Sequence, residues 1–220
     1  MSGLNHVRPG GPPLVVRLSA SVTMTKISVG PMDNNAYLLQ STSGASVLVD
    51  AANDSGRLLK LIGDESVDTI VTTHRHGDHW HGLAAVAEAT GARLIGGRPD
   101  VDAIAQGAKV RGLVGVWDGD QVELGVETLA VIGLVGHTPG SITLAYTGGG
   151  PAHLFTGDSL FPGGPGKTRN PHDFTSLMDN LEAKIFGRFD DEAVVHPGHG
   201  DDTTLGVERP HLVEWRARGW

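Results

Sequence analysis

The 220-residue sequence contains no cysteine. This absence excludes disulfide bonds, a cysteine nucleophile, thiolate-bound metal and iron-sulfur clusters within the chain, so any bound metal ion must be held by nitrogen and oxygen atoms. The sequence also has no run of eighteen apolar residues, and its first residues include no apolar signal segment. These two absences predict a cytoplasmic protein without a membrane span.

Clusters of basic residues are missing as well. The chain has 17 Lys and Arg against 25 Asp and Glu, which gives a formal net charge of -8. Proteins that bind nucleic acid usually present a basic stripe to the phosphates. The charge therefore predicts no nucleic-acid partner, and it makes no prediction about the oligomeric state.

Glycine and proline are abundant, at 32 and 12 residues, which is typical of a fold with many short strands and tight turns. A hydrophobic content of 39% over 220 residues is enough for one core and short for two. We therefore expect a single domain over 1–220, with residues 1–13 as a flexible tail. Runs of β-branched residues predict strands, among them 14–22 and 153–161, and apolar spacing near 3.6 predicts a helix over 173–186.

Four predicted strands end in residue types that bind metal: "TTHRHGDH", "LVGHTPGS", "FTGDSLF" and "HPGHG". Loops that follow strands are held by the sheet but lie at its rim, so side chains from several of them can converge. His74 and His76 point the same way if the backbone stays extended, and Asp78 and His79 follow as the chain turns into a helix. One such fragment is weak evidence, whereas four together predict a metal site.

"THRHGDH" resembles the THxHxDH signature of the metallo-β-lactamase fold hydrolases, and "GHTPGS", "TGDSLF" and "PGHG" resemble the later metal motifs of that superfamily in the expected order. The resemblance implies an α/β fold, the αββα sandwich of two mixed β-sheets flanked by helices, with two metal ions at one edge. It also implies that Asp50 lies buried behind the metals and orients a ligand. The implied ligands are His74, His76 and His137 for one ion and Asp78, His79 and His199 for the other, with Asp158 bridging both.

Seven imidazole and carboxylate ligands suit zinc, which is the first expectation, and also iron or manganese. Two divalent ions that share a water bring its pKa near 7 and polarise a carbonyl, so no serine or cysteine nucleophile is needed. The resemblance further implies that a bridging hydroxide attacks a small-molecule substrate, a thioester or related ester. Asp78 and Asp158 are the predicted catalytic carboxylates.

The other histidines are not predicted to be ligands. His81 follows His79 by two residues, so on a helix it would point about 200° away. In "HPGHG" the resemblance selects the second histidine, His199, over His196. The remaining four lie outside any motif: His6, His153, His172 and His211.

Within the resemblance, the residue types favour one group. His76 stands where flavodiiron oxidoreductases have Glu, and Asp158 stands where antibiotic-hydrolysing β-lactamases have Cys or Ser. The pattern is closest to the glyoxalase II (hydroxyacylglutathione hydrolase) thioesterases. Those enzymes typically have a C-terminal helical domain that helps to bind glutathione, but only 21 residues follow His199 here (220 minus 199). We expect nearer loops to recognise the substrate, another thiol to replace glutathione, or another ester to be hydrolysed.

Lys167 and Arg169 follow "GDSLF" and are candidates to receive a substrate carboxylate, with a merely solvated loop as the equal alternative. Two other activities stay open. One is a lactonase, and the other is an oxidoreductase similar to the persulfide dioxygenases, which use one iron held by His, His and Asp. Metal content distinguishes the hydrolase, with close to two zinc ions per chain, from the dioxygenase, with one iron. A binding protein with structural metals is a third possibility, and loss of folding rather than of activity in His76→Ala would favour it.

Overall fold

Two mixed β-sheets lie face to face with helices on both outer sides in the computed structural model, which describes residues 4–219. The predicted αββα sandwich is therefore confirmed. The first sheet has seven strands that lie side by side in sequence order. Its first three pairings are antiparallel and its last three are parallel. The strands are β1 (Leu14–Arg17), β2 (Val22–Val29), β3 (Asn34–Ser41), β4 (Ser46–Val49), β5 (Thr69–Thr72), β6 (Arg93–Gly97) and β7 (Val114–Val116).

The second sheet has six strands in the order β15-β14-β11-β10-β9-β8. Only β11 and β14 pair in parallel, and the other neighbours are antiparallel. A separate two-stranded hairpin, β12–β13, follows β11. The strands are β8 (Gln121–Leu124), β9 (Glu127–Gly133), β10 (Ile142–Tyr146), β11 (His153–Gly157), β12 (Leu160–Phe161), β13 (Gly164–Pro165), β14 (Val194–Pro197) and β15 (Thr203–Thr204).

The helices cover the outer faces of the two sheets. Side chains of α1, α2 and α3 pack on the first sheet, and side chains of α4, α5 and α6 pack on the second. No described helix is long and apolar enough to cross a bilayer. The helices are α1 (Ser55–Ile62), α2 (Leu83–Thr90), α3 (Val101–Ala108), α4 (Pro171–Asn180), α5 (Leu205–Glu208) and α6 (Leu212–Arg218), with short 3-10 turns at Gly77–His79, Arg98–Asp100 and Arg209–His211.

A core of aliphatic and aromatic side chains lies between the sheets. Met24 and Leu39 contribute from the first sheet, and Leu144 and Phe155 from the second, and all four are buried. Burying such side chains contributes roughly 1.5 to 3 kcal/mol each. This core fixes the sheets against each other, so the loops at their common edge start from rigid positions.

The predicted single strand at 14–22 is wrong, because the chain turns between β1 and β2. The hydroxyl of Ser19 accepts hydrogen bonds from the backbone N–H groups of Ser21 and Val22 at 3.1 and 3.0 Å. A serine side chain that bonds the backbone two or three residues ahead favours a turn over an extended strand. β2 then runs on to Val29, well beyond the predicted end.

The predicted helix over 173–186 begins earlier and changes form. Pro171 is the first residue of α4, and the side chain of Asn170 caps the helix by accepting from the N–H of Asp173. From Leu181 to Phe186 the chain forms a π-helical turn. The predicted apolar stripe is buried as expected, with Leu177 and Ile185 at 0% exposure.

Residues 1–3 of the predicted tail lie outside the described residues. From residue 4 onward the segment touches the body of the protein. Leu4 forms an antiparallel bridge with Asp202, and the Asn5 amide donates to the Asp202 carboxylate at 3.1 Å. Val7 is buried.

Candidate metal centre

Four loops meet at one edge of the sandwich, each at the carboxyl end of a strand. The loops after β5, β9, β11 and β14 carry the predicted ligands. β11 and β14 are parallel neighbours, and β9 points the same way because two antiparallel pairings separate it from β11. The sheet order therefore brings together residues that are far apart in sequence, from His74 to His199.

Three imidazoles form the first cluster at this edge, those of His74, His76 and His137. The Nε2 atom of His137 lies 2.9 Å from Nδ1 of His76 and 3.3 Å from Nε2 of His74. His74 Nε2 lies 3.1 Å from His76 Nδ1. The three nitrogen atoms thus converge on one point, where His74 and His137 are buried and His76 is partly exposed.

Asp78, His79 and His199 form the second cluster. His79 Nε2 and His199 Nε2 are 3.2 Å apart, and Oδ2 of Asp78 lies 3.5 and 3.3 Å from them. Asp78 and His79 belong to the 3-10 turn Gly77–His79, which turns their side chains away from the point where His74 and His76 converge. The tight turn explains how one short motif serves two clusters.

Asp158 lies between the two clusters. Its Oδ2 atom is 3.6 Å from His137 Nε2 and 3.4 Å from His199 Nε2, and its Oδ1 atom is 3.3 Å from His79 Nε2. The predicted strand 153–161 is wrong at this position, because β11 ends at Gly157. Gly157 has φ +50°, and a Cβ there would lie 2.6 Å from Oγ1 of Thr73. The glycine lets the chain turn and present Asp158 to both clusters.

The donor set fits two metal ions. Ligand atoms bound tetrahedrally at 2.0–2.1 Å lie roughly 3.3 Å apart, close to the separations in both clusters. In addition, Asp158 Oδ1 is buried and has no hydrogen-bond partner among the described residues. A buried carboxylate oxygen without a donor is costly, and a cation at the cluster would satisfy it.

Comparison with known proteins agrees with this geometry. The family model of the metallo-beta-lactamase superfamily matches residues 29–200, which include all four motifs. The chain belongs to the metallo-beta-lactamase superfamily. The resemblance seen in the four motifs is thereby confirmed for the family.

Individual members of the superfamily are similar over much of the chain. A hydroxyacylglutathione hydrolase of Anaeromyxobacter dehalogenans is 37% identical over 176 residues, which cover 76% of this chain and 61% of that protein. The hydroxyacylglutathione hydrolase GloC of Haemophilus influenzae is 26% identical, over 83% of this chain and 93% of that protein. The crystal structure of TTHA1623 in a di-iron-bound form has a TM-score of 0.70 and 27% identity, over 84% of this chain and 96% of that chain.

The chain spans only 48% to 61% of the length of the first five curated relatives that it matches, all of them hydroxyacylglutathione hydrolases. The matched region therefore establishes membership of the metallo-beta-lactamase superfamily. It does not carry over the activity of those longer proteins.

Behind the second cluster lies Asp50, as the resemblance to the superfamily implies. Its carboxylate accepts from the backbone N–H and the hydroxyl of Thr73 at 2.7 and 2.8 Å, and from Nδ1 of His79 at 2.8 Å. Because a carboxylate only accepts, a neutral His79, the form that binds a metal, carries its proton on Nδ1 and directs the lone pair of Nε2 at the cluster. Thr73 also lies 3.1 Å from Nδ1 of His74, so the same bonds orient both imidazoles.

Asp100 is a buried residue near the site that the sequence analysis missed. It accepts from the N–H groups of Arg75 and Gly140 at 3.1 Å each, and from the hydroxyl of Thr138 at 2.5 Å. It thus joins the loop that carries His76 to the loop that carries His137. Asp100 directly precedes α3, a position at which a sequence pattern predicts an ordinary helix cap. Its side chain makes no cap hydrogen bond, however, and no sequence pattern indicates the contacts that it does make.

The remaining predicted residues lie where the loops place them. Lys167 and Arg169 have exposed side chains, and within the described residues neither makes a hydrogen bond or an ion pair. The backbone carbonyl of Lys167 accepts from Nδ1 of His137 at 2.6 Å. His81 is exposed and outside both clusters, but it lies in the turn before α2 and not on a helix as expected. His196 is buried beneath the site and contacts no cluster.

The two clusters differ in electrostatics. Burial and the neighbouring imidazoles lower the pKa values of His74 and His76. Burial acts in the same direction on His79 and His199, but there the carboxylates outweigh it. Asp158 and Asp50 raise the pKa of His79 well above its usual value, and hydrogen bonds to Asp158 and Asp78 raise the pKa of His199 to about 10. Carboxylates that attract a proton this strongly will also attract a metal cation.

Metal binding to metal-free protein is expected to release protons and to tighten with pH. His199 is protonated below pH 10 in that state, so a metal ion must displace its proton. Each displaced proton raises the apparent affinity about tenfold per pH unit, so the proton of His199 alone contributes about 100-fold from pH 6 to pH 8. Calorimetry of zinc binding in buffers of different ionisation enthalpy counts the protons. His199→Ala should release one fewer, and an affinity that is constant from pH 6 to pH 8 would contradict the expectation.

Proposed function

We propose that this chain is a binuclear metal-dependent hydrolase that cleaves a thioester or a related ester, similar to the hydroxyacylglutathione hydrolases. The observation that carries the proposal is the position of Asp158, whose Oδ2 atom lies 3.6 Å from His137 in the first cluster and 3.4 Å from His199 in the second, with Oδ1 3.3 Å from His79. An aspartate shared between two sets of nitrogen and oxygen atoms is the arrangement that a two-metal hydrolase needs. The likeness to the hydrolase of Anaeromyxobacter dehalogenans supports the ester or thioester substrate class.

A relative that this chain matches over nearly its whole length supports the proposed reaction. The match to GloC of Haemophilus influenzae covers 93% of that protein, which carries the hydroxyacylglutathione hydrolase name at nearly the length matched here. We infer that the loops around the clusters recognise the acyl and thiol parts of the substrate. Zinc is the first expectation for the metal, and iron is the second, supported by the di-iron form of TTHA1623. The cytoplasmic location stays a prediction.

The ligand set would be His74, His76 and His137 at one ion and Asp78, His79 and His199 at the other, with Asp158 between them. When bound, two such ions lower the pKa of a shared water and polarise the carbonyl that it attacks. Asp158 fixes the separation of the clusters. The amide of Asn34 donates to Oδ2 of Asp78 at 2.8 Å and so aims that carboxylate at His199.

The leaving group explains why a thioester suits this site. A thiolate departs without a proton, whereas an amine must be protonated as it leaves. Among the described residues, the carboxylates and imidazoles that converge at this edge belong to the proposed ligand set or, like Asp50, are buried behind it. The site therefore offers no separate carboxylic acid or imidazole to protonate the leaving amine of an amide. Its residues suit thioester cleavage, in which the leaving thiolate needs no proton.

The proposal is tested by running thioesters, lactones and phosphodiesters on protein of measured metal content. We expect close to two metal ions per chain and the highest kcat/KM on a thioester. One iron per chain with oxygen uptake on a persulfide would contradict the proposal, and so would the highest turnover on a phosphodiester. Metal ions that bind tightly without any hydrolysis, and whose removal unfolds the chain, would indicate structural sites instead.

Lys167 is proposed to receive a carboxylate of the substrate from its exposed position beside the first cluster. We expect Lys167→Ala to raise KM about tenfold while kcat changes less than about twofold, because the contact is equal in the ground state and the transition state. Steady-state kinetics on the best thioester measures both constants. Lys60→Ala removes an exposed lysine on α1 and serves as the control, since its KM should equal that of the wild type. Equal KM values for the Lys167 variant and the wild type would contradict the role.

A further inference from the structure

A fully buried ion pair lies beneath the loop that carries His199. The ammonium of Lys26, on β2, is 2.7 Å from Oδ1 of Asp202, and both side chains have 0% exposure. Removing two charges from water is expensive, and well-packed apolar residues often stabilise a fold as well as such a pair does. The pair therefore calls for an explanation beyond stability.

The contacts of the pair point to the loop. Lys26 Nζ also donates to the carbonyl of Gly200 at 2.8 Å, the residue directly after His199. Asp202 ends the loop, and its Oδ2 accepts from Nδ1 of His196 at 2.9 Å. The pair thus holds the chain immediately after His199, and through His196 it holds the strand residue that precedes the loop.

The other end of the loop is fixed from β3. The carbonyl of Pro197 accepts from the hydroxyl of Tyr37 at 2.6 Å and from the amide of Asn35 at 3.0 Å. By contrast, the His199 side chain makes one hydrogen bond outside the clusters within the described residues, from its Nδ1 to the carbonyl of Met32 at 2.8 Å, and it is 22% exposed. Its direction therefore depends on the backbone on both sides of it.

Two stacked imidazoles complete the network. The carboxylate of Asp202 only accepts, so His196 donates from Nδ1, and its Nε2 accepts from Nδ1 of His153 at 3.0 Å. The two rings are stacked, with centroids 5.3 Å apart and planes 10° apart. In the network of Lys26, Asp202 and His196, each buried side-chain polar atom therefore has a hydrogen-bond partner, as a buried network requires.

We propose that Lys26 and Asp202 are positioning residues that hold the 197–202 loop so that His199 faces the second cluster. The inference rests on the proposed function, because it assigns the network a role in metal binding. Residues that hold a metal ligand in place without binding the metal themselves typically contribute 10-fold to 100-fold to metal affinity. In this chain the ligand is oriented through its own backbone and not through its imidazole.

The test measures the stepwise affinities of metal-free protein for zinc, by competition with a colorimetric chelator, in two variants. Lys26→Met removes the ammonium donor to the Gly200 carbonyl, leaving the side-chain amide of Asn35 at 3.0 Å as its remaining donor, and leaves Asp202 without its counter-charge. Lys26→Met combined with Asp202→Asn removes both charges, so the fold is spared an unpaired buried charge while the hydrogen bond from Lys26 to the Gly200 carbonyl stays absent. Tyr146→Phe, which deletes a buried hydroxyl bonded to Ser19 at 2.7 Å, is the matched control.

We expect one of the two zinc affinities to fall 10-fold to 100-fold in both Lys26 variants, with the other within about twofold of the wild type. The double variant should recover the melting temperature that the single variant loses but not the affinity. Tyr146→Phe should lower the melting temperature and leave both affinities unchanged. The cobalt absorption spectrum of the weakened site should change in the Lys26 variants alone.

Recovery of both stability and affinity in the double variant would overturn the inference, because the pair would then serve the fold only. An equal loss at both sites, or no loss at either, would also overturn it. Failure of the proposed function is seen separately, since wild-type protein would then bind fewer than two zinc ions or hydrolyse no thioester before any variant is made.

Discussion

Asp78→Ala is expected to lower kcat/KM on the best thioester by about 1,000-fold or more, which corresponds to about 4 kcal/mol of activation free energy. Oδ2 of Asp78 lies within 3.5 Å of the imidazoles of His79 and His199. Asp78 is the one carboxylate of the second cluster that is not shared with the first, and the substitution removes it. Two imidazoles and Asp158 would remain there. Steady-state kinetics together with metal analysis measures the effect.

The fold should survive this substitution. The Asp78 side chain is 19% exposed, and its contacts outside the cluster are limited to the amide of Asn34. Its backbone lies in a 3-10 turn that alanine also accepts. Asp64→Ala, at an exposed position outside the site, is the control and should match the wild type in both rate and stability. Activity of Asp78→Ala within twofold of the wild type would refute the proposed mechanism.

The sequence was sufficient to predict which loops meet at the edge that carries the candidate site. His74, Asp158 and His199 each lie directly after an apolar run, and the position of a residue after a strand is a local property that sequence records. Even so, the break at Gly157 was missed. A glycine inside an apolar run indicates a bend only when the close approach of Thr73 is known, and that contact spans 84 residues (157 minus 73).

The supporting carboxylates could be predicted only in part. Asp50 was found because a known family places an aspartate there, whereas Asp100 and Asp202 follow no local pattern. Asp100 contacts the 138–140 segment, about forty residues away, and Asp202 contacts Lys26 from 176 residues away. Lys26 sits in a strand where a lysine normally faces solvent, yet it is fully buried. Such pairings depend on the layer arrangement, which only the folded structure supplies.

Asp50 carries the second large prediction. Asp50→Ala is expected to lower the free energy of unfolding of the metal-free protein by about 3 to 5 kcal/mol, because it leaves a buried imidazolium without one of its two carboxylates and a buried N–H without its acceptor. The imidazolium is that of His79, whose pKa is raised by Asp158 and Asp50 against the effect of burial. The N–H is that of Thr73. Guanidinium unfolding of metal-free protein measures the loss.

Part of that loss in stability comes from the backbone conformation of residue 50. A substitution at Asp33, which has the same φ, measures this backbone contribution by itself. Asp50 and Asp33 both have φ +58°, a conformation in which alanine is less favourable than aspartate. Asp33, however, is partly exposed, and its side chain accepts from the hydroxyl of Ser28 at 2.6 Å. Asp33→Ala should therefore cost only about 1 to 2 kcal/mol. If the two variants lose equal stability, the cost belongs to the backbone, and Asp50 does not hold His79 as its hydrogen bonds indicate.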